Sequence, residues 1–387
     1  MRWWKKAPEA KASRTGPLIA FQRAGRPVWT PRNYAALARR GYEENAVAYR
    51  AVRMVAEAAA SMAWILTEDG REASEHPLLE LLRRPNPRQA GADLFEAAYG
   101  HLMLSGNAYL EAVFGADGEV AELYALRPDR MKVVPGADGW AAAYEYAVAG
   151  RTARFAAEGE GICPILHVTL FHPLDDHYGF APLQAAQKAL DIHAEAAAWN
   201  KALLDNAARP SGALVYEGPE HANLSEDQFR RLKAELAENF EGAANAGRPL
   251  LLEGGLSWQQ MSLSPREMDF LELKNAAARE IALAVGVPPM LLGIPGDNTY
   301  SNYREANRAL WRQTVLPMAG RMAAALTAWL APAFRGRLAL AQDVDSVEAL
   351  TEERAARWKM VAEAPFLSDA EKREALGYGR QGGAESE

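Results

Sequence analysis

Ser264-Pro265-Arg266-Glu267, followed by a mixed run to Ile281-Ala282-Leu283-Ala284-Val285 and then by Gly286-Val287-Pro288-Pro289, reads as one helix with both ends marked. Ser264 offers an N-cap oxygen, Pro265 suits the first helical position because its missing N–H would have no partner there, and Glu267 completes a capping box. Gly286 and the two prolines end the helix at Val285. Upstream, Pro182 to Asn206 reads as a second long helix, rich in alanine. Between the two lies a unit of mixed character. Ser225 with Gln228 opens a helix whose Phe229, Leu232, Leu236 and Phe240 form one stripe, and Arg248 to Leu263 reads as a β-hairpin turning at Gly254-Gly255.

Downstream, Pro288 to Asn302 combines prolines, glycines and the polar run Asp297-Asn298-Thr299-Tyr300-Ser301, a composition that cannot continue a helix. Asn302 with Glu305 then caps a further helix carrying Leu310, Val315, Met318, Met322 and Trp329, with Pro317 in its middle. An interior proline removes a hydrogen bond and clashes with the preceding turn, at about 3 kcal/mol, so a kink is expected at Pro317. Val347 to Ala362 and Ser368 to Leu376 read as a closing helical pair, the second with a Ser368–Glu371 capping box.

The first 180 residues change period twice. An Ala-rich helix is expected over 43–66, running into Trp64-Ile65-Leu66, then a short helix from His76 to Arg84 stopped by Pro85 and Pro87. Ala92 to Leu104 is helical, with Leu94, Phe95, Ala98 and Leu102 on one face. From Asn107 to about Val168 the pattern is strand-like, with Gly115-Ala116-Asp117-Gly118 and Gly136-Ala137-Asp138-Gly139 as turns. Runs of strand followed by runs of helix define an α+β protein.

Composition narrows the function. With 49% hydrophobic and 24% charged residues the chain is of the soluble globular kind, and 387 residues exceed one ordinary core. The apolar stretch 281–294 is broken by Gly286, Pro288 and Pro289 and falls short of the roughly 20 residues that span a bilayer, so no membrane partner is expected. The opening MRWWKKAPEA lacks the apolar core of a secretory leader. Cys163 stands alone, which excludes a disulfide framework and fits a reducing compartment. A net charge of -7 argues against gripping nucleic acid by neutralising phosphates.

The residues best placed for chemistry are His167, His172 and His177 with Asp175 and Asp176. They carry the alternative reading, a metal-dependent hydrolase or nuclease. Steps of five alternate faces on a strand and turn by about 140° on a helix, so the three rings need a special loop to converge. A second alternative is a membrane-peripheral scaffold using 281–294. Gly-Lys never occurs, so there is no phosphate-cradling loop, and neither a Gly-x-Ser-x-Gly elbow nor a His-Glu-x-x-His helix is present. No cofactor, no bound metal and no catalysis are expected.

Several segments, in order, carry a resemblance. They are Asn45-Ala46-Val47 leading into a helix, Leu82-Arg83-Arg84-Pro85-Asn86-Pro87, and Gly106-Asn107-Ala108-Tyr109-Leu110. Leu123 to Pro128, Arg130 to Val134, and Tyr178-Gly179-Phe180-Ala181-Pro182-Leu183 follow. Last come Ile281-Ala282 with Val287-Pro288-Pro289-Met290-Leu291-Leu292-Gly293, Thr299-Tyr300-Ser301-Asn302, and Leu316-Pro317. Together, over about residues 43–376, the chain resembles the portal family of long-tailed bacteriophages, a family also found in prophages and gene transfer agents. Ala181 departs from the family's usual Gly-x-Ser-Pro-Leu.

The resemblance implies a portal-type fold assembled as a dodecameric ring oligomer at one capsid vertex, non-catalytic, for packaging and ejecting DNA. It implies a flexible arm (1–40), an α/β wing (41–181), stem helices (182–206 and 264–287) and an α/β clip between them (207–263). A tunnel loop (288–303), a kinked wing helix and return (304–342), and a small helical crown with the C-terminal tail (343–387) complete it. At 1.5 Å per residue the stem helices would each span about 30 to 38 Å. Asp297, Asn298, Thr299, Tyr300 and Asn302 would be the tunnel-loop residues, and Glu267, Glu272, Lys274 and Arg279 would be stem candidates for facing the channel. Implied partners are double-stranded DNA without sequence specificity, a large terminase ATPase at the clip, the major capsid protein at the wing and a head–tail adaptor at the clip. The stem alanines (185, 186, 189, 194, 196, 197, 198 and 202) suit close helix approach or simple helix propensity equally.

Overall fold

A computed structural model describes residues 34–116, 118–159, 161–205, 212–216, 256–260, 270–296 and 299–376, with a few single residues between 226 and 234. Helix α1 (Ala46–Ala60) starts where Asn45 Oδ1 accepts from the amides of Val47 and Ala48, and it buries Ala48, Ala51, Val52, Val55, Ala56 and Ala59 at helical spacing. It ends at Ala60 instead of running through Leu66. Strand β1 (Trp64–Glu68) takes the next residues and pairs antiparallel with β2 (Arg71–Ala73) and β11 (Leu338–Gln342). Large and β-branched side chains favour that pleated, half-buried surface over a continued helix.

Helix α2 (Pro77–Arg83) is capped by the His76 ring, and α3 (Gly91–Ser105) lies against α1 with Leu94, Phe95, Ala98, Tyr99 and Leu102 buried. The strand-like region resolves into two antiparallel three-stranded sheets. One orders β4 (Val120–Leu126), β3 (Asn107–Phe114) and β8 (Ile165–Thr169), and the other orders β5 (Met131–Pro135), β6 (Ala141–Val148) and β7 (Arg151–Ala156). Tyr109, Leu126, Met131, Val133, Tyr144 and Ile165 form a small core between them.

The first long helix is interrupted. Pro182–Ala185 makes one helical turn, the chain breaks step at Ala186, and α4 (Gln187–Asp205) follows. Helix α5 (Phe270–Val285) packs along α4. Of the alanines on the first helix, Ala186, Ala189 and Ala196 are buried, whereas Ala185, Ala194 and Ala198 are exposed. Strand β10 (Leu256–Gln260) pairs antiparallel with β9 (Gly212–Tyr216), a long-range partner; Leu250 to Leu252, the other arm of the expected hairpin, lie outside the described residues. Ser264, Glu267 and most of the helix expected from Ser225 also lie outside them.

Three further expectations are corrected. The segment assigned to a flexible arm is helical at its end: Tyr34–Ala36 and the π-helical Leu37–Glu43 pack onto the body through buried Leu37. Helix α6 (Tyr300–Leu310) starts two residues before Asn302, because Thr299 Oγ1 accepts the Asn302 amide and is the actual N-cap. The helix beyond is divided into α6, a π-helical stretch Trp311–Val315 and α7 (Leu316–Leu330), with Pro317 in the first turn of α7. The chain closes with α8 (Thr351–Ala362) and α9 (Asp369–Ala375), the latter carrying the reciprocal Ser368–Glu371 capping box.

Candidate functional site

The connection from α5 to α6 is anchored at both ends. At its root Gly286 adopts φ +81°, where an added Cβ would stand 2.6 Å from Thr314 Oγ1, and that hydroxyl donates to the Gly286 carbonyl at 2.6 Å. Thr314 belongs to the π-helical stretch, so the irregular turn before Pro317 ties directly into the end of α5. Single π turns of this kind recur at functional sites. A short 3-10 turn (Pro289–Leu292) follows, ended by Gly293 at φ +72°. The loop is therefore narrower than the expected 288–303: between that turn and α6 it comprises 293–299.

Of the residues assigned to the tunnel loop, Thr299 caps α6, Tyr300 and Asn302 stand in its first turn, and Asp297 and Asn298 lie outside the described residues. The stem candidates divide as well. Glu272 and Arg279 are exposed on α5, Lys274 is half-buried, and Glu267 lies outside the described residues. The Arg279 guanidinium is occupied by the Pro295 carbonyl, so it braces the loop from α5. Lys274 also acts on His193 of α4, whose pKa is lowered by burial and by that ammonium; the Nδ1 of this histidine meets Asn45 Nδ2 at 3.2 Å.

The histidine cluster does not assemble into a metal centre. His167 stands on β8, stacked on Tyr109 at 4.2 Å between ring centres, while His172 accepts the Leu174 amide at Nδ1 and packs on Phe180. Asp175 Oδ1 accepts the amides of His177 and Tyr178 and so shapes the turn. Among the described residues no group of three or more His, Cys, Asp or Glu side chains could hold a metal ion. No described helix is long and apolar enough to cross a membrane.

What organises the loop of these histidines is Asn107, a residue not among those expected for chemistry. It is buried, and its Oδ1 accepts the Gly179 amide at 2.8 Å. The same oxygen faces His167 Nε2 at 3.0 Å, which makes that nitrogen the proton donor. Asn107 Nδ2 donates to the Ser105 carbonyl at 2.7 Å. Burial, with the nearby His177, holds the His167 pKa down at about 4, so its ring is neutral at pH 7. The legible signal for Asn107 was its place in Gly106-Asn107-Ala108-Tyr109.

On α6 and the π turn, Arg304, Arg308 and Arg312, four positions apart, form a row facing α8. Arg304 reaches Glu352 at 3.2 Å, Arg308 pairs with Glu352 and with Glu305, and Arg312 reaches Glu353 at 3.4 Å. The helix after the loop is thereby joined to the closing helical pair.

Taken together, the polar groups of interest hold backbone and helices in place, as in a scaffold whose work is shape. The chain belongs to the phage portal protein family, whose model matches residues 46–377. It is 42% identical to an uncharacterised protein of Rickettsia bellii (strain RML369-C) over 87% of each chain. It is also 25% identical to the portal protein of Enterobacteria phage HK97, over 70% of this chain and 62% of that one. Among solved structures it is similar to a chain in the neck of an empty gene transfer agent particle computed with C6 symmetry. That match has 52% identity and a TM-score of 0.72 over 95% of this chain and all of that one. A chain in the native particle's neck, computed with C12 symmetry, matches at 52% identity and a TM-score of 0.69 over 92% and 96% of the two chains.

Proposed function

We propose that this chain forms a twelve-subunit portal ring at one vertex of a gene transfer agent or phage capsid, where it joins head to tail and passes double-stranded DNA. The observation that carries this reading is the 52% identity, along the whole length of that chain, to a component of a gene transfer agent neck. The protein acts as a structural element and not as an enzyme. Helices α4 and α5 serve as the stem, 207–263 as the clip, 293–299 as the tunnel loop and 343–387 as the crown. Pro317, with the π turn before it, bends the wing helix.

The negative net charge suits a conduit through which DNA slides without sticking. Glu272 contributes to that lining. A large terminase ATPase supplies the movement and docks with the adaptor on the clip, while the wing meets the major capsid protein. Deleting the gene in the producing cell tests the reading. Released particles are expected to lack DNA and tails, and complementation restores both; DNA-filled, tailed particles from the deletion strain would contradict it.

A further inference from the structure

Phe171 and Leu174, three positions apart on one loop, are 81% and 92% exposed, an unusual amount of apolar surface. Their loop is pinned beside the C-terminal end of α3: the Leu170 amide donates to the Gly106 carbonyl at 2.8 Å, and Asn107 holds Gly179. The N-terminal end of the same helix borders an apolar cleft of about 360 Å³, lined by Met62, Trp64, Leu79, Leu82, Ala92 and Phe95. Fifteen residues of α3 put about 22 Å between the two ends. Charge differs in the same sense. Asp175 and Asp176 are exposed beside the apolar pair, whereas exposed Arg83 lines the cleft and the next residue, Arg84, is exposed as well.

A cyclic ring is built from heterologous contacts, in which one face of each subunit complements a different face of the next. We propose that Phe171 and Leu174 of one subunit seat in the cleft of its neighbour, with Asp175 and Asp176 meeting Arg83 and Arg84. This rests on the ring reading above and names the contact that closes it. The apolar pair supplies the driving force and the charges set the direction around the ring.

Two measurements on the full chain test it. A thiol-reactive benzophenone is attached at Leu174→Cys in a Cys163→Ser background, irradiated in assembled rings, and the cross-linked peptides are mapped. Cross-links to residues 60–95 of another subunit are expected; cross-links within the same chain, including its residues 1–33, overturn the proposal. The double variant Phe171→Asp/Leu174→Asp, changed only at exposed positions, should keep its melting curve yet move the mass distribution from rings to monomers. Rings that persist in that variant overturn the proposal alone. A parent protein that forms no rings at all overturns it together with the ring reading.

Discussion

Gly179 and Gly106 meet backbone to backbone: a Cβ added at Gly179 would lie 1.9 Å from the Gly106 carbonyl oxygen, and one added at Gly106 would lie 2.4 Å from the Gly179 carbonyl carbon. Neither obstacle is a flexible side chain. Gly106 also holds φ +74° as the C-cap of α3, a conformation that disfavours any side chain. Gly179→Ala is therefore expected to lower stability by about 1 to 3 kcal/mol, the usual cost of overpacking. Urea unfolding checks it, and an unchanged midpoint would show that the loop re-seats freely.

Asn107→Ala leaves the Gly179 amide and the Ser105 carbonyl without their buried partners. A loss of about 1 to 3 kcal/mol is expected. The same variant should speed hydrogen exchange across 170–181 and leave α9 unaffected.

His167 and His101 each have a pKa held at about 4 by burial, against 6.5 for an ordinary histidine. Between those values the unfolded chain binds protons that the folded chain refuses. Stability from the two neutral rings is thus complete above about pH 6.5 and is lost progressively as pH falls toward 4. Melting temperature should decline through that window, and His167→Gln should flatten the decline relative to the parent.

Much of the fold was legible because helix ends are written in local chemistry. Ser368 with Glu371, the Asn45-Ala46-Val47 start and the Gly286 stop each depend on residues a few positions apart. Strand partners beyond the hairpins are not local. Nothing near Leu256 announces Gly212–Tyr216 as its neighbour, and nothing near Trp64 announces Gln342 across the sheet. The π turn at Trp311–Val315 shows in the sequence only as the five-residue step between the buried Leu310 and Val315, and Pro317 is the plainer mark of the spot. Thr299 and Asn302 are both competent caps, and the choice between them depends on where the loop releases the chain. The histidines suggest metal ligands for a similar reason: residue type is local, but the shared partner of His167 and Gly179, Asn107, lies sixty or more residues upstream.

Arg308 couples the helix after the loop to the closing helical pair through Glu352. Arg308→Ala is expected to raise protease sensitivity and hydrogen exchange within 351–376 while the main unfolding transition stays in place. The parent should drift the same way as salt is raised, since these ion pairs are mostly open to solvent.

Because Thr299 caps α6, the loop and the cap can be tested separately. Thr299→Ala should cost about 0.5 to 2 kcal/mol, read by chemical unfolding. Removing Gly296 to Asn298 while keeping Thr299 should leave ring assembly intact and reduce the DNA held by particles. Normal DNA content in such particles would rule out a role for the loop in packaging or retention.

The most direct measurement is cryo-electron microscopy of the purified full-length protein. Closed twelve-fold rings are expected, with α4 and α5 surrounding a central channel and residues 293–299 of every subunit turned toward its axis. Monomers at all concentrations, or rings in which that loop lies on the outer surface, would contradict it.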